Sequence, residues 1–385
     1  MLANLYQWFW KDEYWLPPGY TWADMEDSNG VTYPHPKDLL ATIPLAFIFV
    51  IIRYGFERNI AICLSKVMGV RDHPRLKAAP NPILESFFQT QSWNPQEDQL
   101  SHLASQCGLS VRETQRWFRQ RRNQERPNLT KKFCESSWRF FFYFSSLFGG
   151  ILTIYNETWF WESTKCFEGY PKQPLKTGIY CWYLLEISFY HSLLLTLPFD
   201  VKRKDTKEQV IHHFIVIALL FLSYCYNFMY FGTLILLLHD ITDILLEACK
   251  MLHYAQWKLT CDILFIIFAV LFIVNRLILF PSKIIGMIFY SRDLLKPFFG
   301  FYLTIALLLV LQGLHVFWSY CILRLVYSVL GHNKELSDVR SDLEEQDTSD
   351  EQSEKEGQKN RQLQSNDDTN SCNFLRARGE GLPTD

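Results

Sequence analysis

The residue types most able to do chemistry are concentrated between positions 186 and 250 of this 385-residue chain. His212 and His213 are adjacent, and a second cluster follows in the string His239-Asp240-Ile241-Thr242-Asp243. Both clusters fall inside long apolar runs, where inserting an ionisable side chain into a membrane costs about 2.5–3.5 kcal/mol. Ionisable residues in such runs usually mark functional sites. The pattern therefore predicts a buried polar site carried by two successive helices.

The spacing on the second helix indicates how that site is arranged. Four charged residues recur at intervals of 3, 4 and 3 positions and so share one helix face: Asp240, Asp243, Glu247 and Lys250. Because a short turn joins the two helices, we expect them to be antiparallel neighbours, with the acidic face opposite the histidine pair. A carboxylate beside an imidazole favours its charged form, whereas burial opposes it. We predict that a histidine held in this way acts as a general base or as a transient acyl acceptor.

Two alternatives remain for these residues. Polar side chains in a membrane bundle can simply hold helices together. Metal ligation is the second alternative, but side chains at adjacent helix positions point about 100° apart, which is poor geometry for joint ligation, and we predict no metal site. Glu186 and Tyr190, on the preceding apolar run, are expected to line the same cavity and contact substrate. Arg276 is expected to be a packing or snorkelling residue.

A short basic segment comes immediately before the histidine pair. It contains Lys202, Arg203, Lys204 and Lys207. Positive charge beside a helix end is the ordinary mark of the cytosolic side of a membrane protein. The same charges would also suit a landing site for a polyphosphate nucleotide, and the two interpretations are compatible.

The helices that would position these residues follow from the composition. The chain is 49% hydrophobic and 20% charged, against about 25% charged in soluble domains. Crossing a bilayer takes about 17–25 apolar residues. Seven runs qualify as predicted spans: 39–55, 138–155, 180–198, 210–227, 231–249, 262–281 and 301–326. These runs exclude a simple soluble domain, a disulfide-stapled secreted module and a wholly disordered chain, and they predict an all-α polytopic membrane protein with about seven transmembrane helices.

The distribution of charge predicts the topology. Lys and Arg are concentrated in 56–137 and 199–209, which become cytosolic if the N-terminus is on the opposite side. An odd number of spans then places the C-terminus in the cytosol. Residues 334–385 hold 14 Asp and Glu against 7 Lys and Arg, and we expect this acidic tail to be disordered. Ser341 and Ser349 lie beside acidic residues and are predicted phosphorylation sites, although the tail could equally be only solvating.

A basic soluble insert separates the first two spans. Three short helices are predicted at Pro82–Gln91, Pro95–Gln106 and Ser110–Arg126, the last with a capping box. The string Trp117-Phe118-Arg119-Gln120-Arg121-Arg122-Asn123 resembles the recognition helix of a homeodomain. Gln120 stands where the adenine-reading Asn would be, and a basic N-terminal arm is not visible. We therefore expect a structural or regulatory role rather than DNA binding, and the arginines could also meet lipid headgroups or acyl-CoA phosphates.

The motifs together resemble those of the ceramide synthases. The resemblance rests on the string from Asp200 to Asp205, on His212-His213, on the stretch from Gly232 to Asp243, and on Lys250. It implies an acyltransferase of the endoplasmic reticulum membrane that moves a long saturated acyl chain from acyl-CoA to sphinganine or sphingosine. Acyl-CoA would be the co-substrate, with no other cofactor, and the fold would contain a six-helix catalytic barrel of the TLC type. A homodimer or heterodimer with other family members is a further implication, as are membrane lipids as partners.

The resemblance also implies domain limits. They are 1–66 for the lumenal N-terminus and first transmembrane helix, 67–128 for the homeodomain-like domain, 131–332 for the catalytic domain, and 333–385 for the tail. One departure from relatives is Thr206, where they usually carry Phe.

Site roles come from the same resemblance. His212 and His213 inherit catalysis, while His239, Asp240 and Asp243 inherit support of the catalytic site. Acyl-chain length would be read by the loop before the last span, namely Tyr290, Ser291, Arg292, Asp293, Leu294, Leu295, Lys296, Pro297, Phe298, Phe299, Gly300 and Phe301. Two other classes stay open from the residues alone: a non-enzymatic lipid-sensing scaffold in the membrane, and a membrane-tethered DNA-binding regulator.

Overall fold

A computed structural model describes residues 2–28, 30–72 and 75–332 of the chain. The predicted tail, with Ser341 and Ser349, lies outside these residues. Within them the chain is helical apart from turns, loops and one isolated bridge between Ser28 and Val31. The chain divides into two compact units: the segment between Asp72 and Pro127, and the residues on either side of it.

Eleven α-helices of eight or more residues occur in the described residues. They are α1 (Leu2–Phe9), α2 (Thr42–Phe56), α3 (Pro82–Thr90), α4 (Glu97–Cys107), α5 (Val111–Glu125), α6 (Leu129–Ile154), α7 (Thr177–Thr196), α8 (Thr206–Cys225), α9 (Met229–Tyr254), α10 (Lys258–Ile273) and α11 (Phe299–His332). Two of them continue past a π-helical stretch: α2 through Glu57–Ala61 to Ile62–Val67, and α10 through Val274–Ile285 to Gly286–Tyr290. Shorter helical turns lie at Asp12–Trp15, Trp22–Met25, Pro36–Ala41, Thr158–Trp161, Ser163–Phe167 and Arg292–Leu295.

Five of the described helical segments are long and apolar enough to cross a membrane. They are Pro36–Val67, Thr206–Cys225, Met229–Tyr254, Lys258–Phe289 and Phe299–Tyr327. The predicted class of all-α polytopic membrane protein is thereby confirmed. Helices α6 and α7 lie at the predicted second and third spans and have 26 and 20 residues, but they are richer in polar and aromatic side chains. The count of seven spans therefore stays a prediction.

The larger unit is built around a closed ring of six helices. Helix α6 packs on α9, α9 on α10, the continuation of α10 on α11, α11 on α8, α8 on α7, and α7 on α6. Helix α2 packs against α7 and does not complete this ring. The order of neighbours agrees with the predicted six-helix barrel, and it turns one face of α8, α9 and α11 toward a shared interior.

The smaller unit is the predicted three-helix insert, formed by α3, α4 and α5. Its buried core consists of Leu84, Phe88, Leu100, Leu103, Trp117 and Phe118. Local signals set its boundaries. The Asn81 side chain accepts hydrogen bonds from the first turn of α3, Gly108 ends α4 at a φ of 66°, and Ser110 forms a capping box with Glu113 at the start of α5. The Arg121 guanidinium then joins α5 to α3 through two 2.8 Å hydrogen bonds to Glu85.

Candidate active site

The two adjacent histidines lie in the first turns of α8 and face different neighbours. The His213 side chain is 7% exposed, and its ring centroid lies 6.3 Å from that of Tyr190. The His212 ring lies 5.4 Å from Trp318 of α11 in an edge-on arrangement. The Trp318 indole N–H in turn donates to Asp205 at 3.3 Å. The divergence of the rings is the expected result of adjacent helix positions, and it makes joint ligation of one ion unfavourable.

The acidic face of α9 does not bind the histidine pair directly, contrary to our expectation. Asp243 forms an ion pair with Arg276 at 3.0 Å, and Glu247 forms one with Lys250 at 2.6 Å. Among the described residues, no hydrogen bond or ion pair joins either histidine of α8 to a carboxylate. The acidic groups are neutralised by cations instead, because a buried carboxylate is costly unless it is paired.

Arg276 is therefore part of the polar site, and its assignment as a packing or snorkelling residue is wrong. Its side chain is buried, and its guanidinium donates to Thr242 Oγ1 at 2.9 Å as well as to Asp243. It also contacts Nε2 of His315 at 3.2 Å. Hydropathy could not reveal this, because the partner carboxylate lies 33 positions earlier in the chain.

His315 is a member of the site that sequence reasoning missed. It is fully buried on α11, and its Nε2 atom lies 3.2 Å from Nε2 of His239. Nδ1 of His239 is 2.7 Å from the Ile235 carbonyl oxygen. The available signal was an ionisable residue inside the run 301–326, the same signal that drew attention to the histidines of α8.

The remaining predicted carboxylates form a second buried group. Glu186 accepts a hydrogen bond from Ser146 Oγ, and both residues are buried. The Trp182 indole N–H donates to the same serine at 3.0 Å. Both carboxylate oxygens of Asp240 are buried, and neither forms a hydrogen bond of ordinary geometry with another described residue. The Ser146 hydroxyl and the Arg276 guanidinium are nevertheless close enough to interact with this carboxylate electrostatically.

A narrow cavity of about 40 Å³ lies beside these polar groups. Fifteen residues of α7, α8, α9 and α11 and of the α8–α9 turn line it: Tyr183, Tyr190, Val216, Leu219, Leu220, Ser223, Phe228, Phe231, Gly232, Ile235, Leu236, His239, Thr304, Leu308 and Leu311. Tyr190 is in this wall as predicted, whereas Glu186 is not. The wall is mostly apolar, which suits a hydrocarbon chain.

Neither histidine of α8 is among the residues that line the cavity, but both lie within one helical turn of it. Val216, a wall residue, is three positions after His213 and four after His212. The His213 ring also lies 6.3 Å from the ring of Tyr190, another wall residue. His239 is itself a wall residue. A chain lying in the cavity could therefore present its end to the imidazoles.

The predicted chain-length loop reaches the opposite end of this cavity. The Phe298 ring packs edge-on against Tyr226 at 5.3 Å and lies 6.5 Å from Phe228, a wall residue. Gly300 lies directly against the Tyr226 ring. Leu295 and Phe301 are buried, while the side chains of Tyr290, Asp293 and Leu294 are outside the described ones. The position of Phe298 gives this loop a physical route to the cavity.

The basic segment before α8 is anchored by two arginines. Asp200 accepts hydrogen bonds from Arg53 at 2.6 Å and from Arg139 at 2.7 Å. Arg203 donates to the Tyr254 hydroxyl at 2.8 Å, and Thr206 Oγ1 accepts from the Arg203 backbone at 2.8 Å. The three lysines, Lys202, Lys204 and Lys207, are exposed. The segment is held in place while its ammonium groups face outward.

A metal site does not emerge from the described residues. In that part of the chain, no group of three or more His, Cys, Asp and Glu side chains could hold a metal ion.

The ring of six helices with a polar interior defines an all-α polytopic membrane protein. Comparison with known families supports this class. Residues 132–324 match the TLC domain, and residues 77–127 match the homeodomain.

Full-length relatives are more specific. The chain is 53% identical to ceramide synthase 4 of Homo sapiens over 91% of its length and 89% of that protein. It is 42% identical to ceramide synthase 3 of Homo sapiens over 90% of each chain. It is 41% identical to ceramide synthase 5 of the same species over 89% of its own length and 88% of that protein. The chain belongs to the ceramide synthase family.

Proposed function

We propose that this chain transfers a long saturated acyl group from acyl-CoA to the amine of sphinganine or sphingosine, forming dihydroceramide or ceramide. The observation that carries the proposal is the apolar cavity, whose wall residue Val216 lies within one helical turn of both His212 and His213. Membership in the ceramide synthase family supports the same reaction. The relatives do not favour the lipid-scaffold and DNA-binding alternatives.

The acyl chain would occupy the cavity, with its thioester near the two imidazoles of α8. The exposed ammonium groups of Lys202, Lys204 and Lys207 would meet the phosphates of coenzyme A. Acyl-CoA is the only co-substrate in this proposal. His212 or His213 either attacks the thioester carbonyl or removes a proton from the amine, and an acylated histidine detected by mass spectrometry would favour the first route.

The finer placement in the cell belongs to the same proposal. We place the enzyme in the endoplasmic reticulum membrane, with its N-terminus in the lumen and the basic segment and C-terminus in the cytosol. The charge distribution supports this orientation, since the exposed lysines precede α8. A homodimer, or a heterodimer with other ceramide synthases in the same membranes, is part of this proposal.

The test is acyl-CoA-dependent ceramide formation by membranes that contain this chain, measured over a series of acyl-chain lengths. We expect long saturated chains to be used. His212→Ala and His213→Ala should each lower kcat by about 10²–10⁴-fold, the usual contribution of a positioned acid–base group. His102→Ala, on the exposed face of α4, is the matched control. Full activity in both α8 variants would overturn the proposal.

A further inference from the structure

The end of the cavity away from the histidines is closed by aromatic rings. Along α8 the cavity wall runs from Val216, near the histidine pair, to Ser223, and Phe228 follows in the α8–α9 turn. The Tyr226 ring packs against Phe228, with 6.0 Å between ring centroids. Tyr226 is buried but is not itself one of the lining residues. Whatever holds Tyr226 in place therefore limits how far this end of the cavity can extend.

Three residues from two distant segments hold the Tyr226 ring. Phe298 and Gly300, both in the loop before α11, contact it as described above. The third is Trp15, in the short helical turn Asp12–Trp15, whose ring centroid lies 5.3 Å from that of Tyr226. The residues before the first predicted span thus contact the same ring as the predicted chain-length loop.

Trp15 is fixed by the fold of its own segment. Its indole N–H donates to the Phe9 carbonyl oxygen at 2.6 Å, and its ring lies 4.7 Å from that of Trp10. Trp15 is only 5% exposed and belongs to the same buried cluster as Tyr226. Trp8 is 54% exposed by contrast, as expected of a ring at the membrane interface. Trp15 is therefore a packing residue of the core and not an interfacial anchor.

The N-terminal segment is also fastened to the helical ring beyond Trp15. The Tyr224 hydroxyl donates to the Asp38 carboxylate at 2.9 Å, two positions before Tyr226. The Leu175 backbone N–H, just before α7, donates to the Thr32 carbonyl oxygen at 2.8 Å. These bonds hold the segment against the ring at two further points, so Trp15 is a firm support for Tyr226.

We propose that Trp15 is a specificity-determining residue that limits the length of the acyl chain by holding Tyr226 against Phe228. The inference rests on the proposed function, in which the cavity takes the acyl chain. Trp15 does not line the cavity and acts through Tyr226, so it is a positioning residue. Chain length is then set jointly by the N-terminal segment and by the loop before α11, which meet at one ring.

The experiment measures the ceramide products of competing acyl-CoAs with the full chain in membranes, for the wild type and Trp15→Ala. The substitution leaves a void into which Tyr226 can move, since a core only partly collapses around a deleted side chain. Each methylene beyond the wild-type optimum should then gain about fourfold in relative yield, the factor that burial of one CH2 supplies. Trp8→Ala is the matched control and should keep the wild-type distribution.

A double variant tests the route through Tyr226. Tyr226→Ala should shift the products in the same direction as W15A, and W15A/Y226A should shift them no further than Y226A alone, because both act on one ring. A further shift in the double variant would overturn the inference.

A merely structural role for Trp15 predicts a different result. All products of W15A would then fall by one factor with an unchanged distribution, and that result, or a shift toward shorter chains, overturns the inference. A cooperative thermal transition shows that W15A is folded; without one, W15L replaces it in the same comparison. A wild type that makes no ceramide would instead overturn the proposed function, so the two failures are distinguishable.

Discussion

Gly232 lies where the start of α9 passes Tyr183, on the wall of the cavity. A Cβ atom at this position would collide with the Tyr183 hydroxyl and lie 3.2 Å from Ser223 Oγ. Tyr183 is fully buried, is hydrogen-bonded to Ser223 and lines the cavity, so we expect a displaced Tyr183 ring to narrow the cavity. We predict that Gly232→Ala shifts the acyl preference toward shorter chains. Each methylene that no longer fits forfeits about 0.8 kcal/mol, or roughly a fourfold loss in relative kcat/KM, measured from the ceramide products of competing acyl-CoAs.

Two comparisons identify the cause. Gly313→Ala, on α11, places the same methyl group in open space and should leave the product distribution unchanged. Tyr183→Phe in the G232A background removes the colliding hydroxyl and should restore part of the preference for longer chains. A G232A enzyme with the wild-type product distribution would show that the acyl chain does not pass Gly232.

Buried charges are paired across helices as well as along them. Asp243 of α9 is held by Arg276, and Asp200 is held by Arg53 and Arg139. Removing one partner of such a buried pair typically costs about 3–5 kcal/mol because a charge is left uncompensated. The polar interior therefore fixes the relative positions of the helices as well as the site.

At the scale of elements, the ion pair between α3 and α5 makes the smaller unit sensitive to acid. Hydrogen bonds from the Arg121 guanidinium hold the pKa of Glu85 below its usual value. A carboxyl with a lowered folded-state pKa stabilises the fold above its unfolded pKa and loses that contribution as the pH falls through the folded value. We predict that hydrogen-exchange protection of α5 amides, corrected for intrinsic exchange, declines below about pH 4.5 and that Glu85→Gln removes this decline. The effect should be at most about 1 kcal/mol, since the pair is partly exposed.

The neighbouring helix supplies the control for that measurement. Glu97 is exposed in the first turn of α4, so Glu97→Gln changes the same charge without touching the α3–α5 pair. It should keep the acid-dependent decline. Equal declines in E85Q and the wild type would show that Arg121 does not stabilise the Glu85 carboxylate.

Elements with local signals could be read from the sequence, and contacts between distant elements could not. Asn81, Gly108 and Ser110 mark helix ends through their own backbone neighbours, and the three helices of the smaller unit were predicted within a few residues. The His315–Arg276 contact joins residues 39 positions apart. An ionisable residue in each apolar run suggests a buried polar group, but neither run indicates that these two positions meet. The sequence predicts that the acidic residues of α9 share one helix face. It does not predict which cations pair with them, because that depends on which helices become neighbours when the six-helix ring closes.

The α8–α9 turn shows the same division. Adjacency of the two helices followed from the short connection, and the cavity lies between them. Helix α11 completes the cavity wall with Thr304, Leu308 and Leu311. This could not be predicted from the connection between α8 and α9, because the position of α11 depends on the packing of all six helices.

At the scale of the whole molecule, the cavity, the imidazoles and the basic segment all belong to the larger unit. The chain leaves this unit at Asp72 and returns at Pro127. These ends are close together, because the Thr130 backbone N–H donates to the Asp72 carboxylate at 3.0 Å. A linker of about ten Gly and Ser residues, which behaves as a flexible coil, can therefore replace the smaller unit without straining α6.

We predict that the chain with residues 77–126 replaced by such a linker forms ceramide with a kcat within about threefold of the wild type, because no group of the proposed chemistry is removed. Ceramide formation in membranes with matched protein levels is the measurement, and His212→Ala in the shortened chain should be as inactive as in the full chain. A shortened protein that keeps a cooperative thermal transition but loses activity would contradict the prediction and give the homeodomain-like unit a part in catalysis. If activity is retained, the smaller unit is not required for catalysis and can serve another role. In that unit Arg121, one arginine of the string that resembles a recognition helix, forms an ion pair with Glu85. It therefore stabilises the fold instead of binding a phosphate.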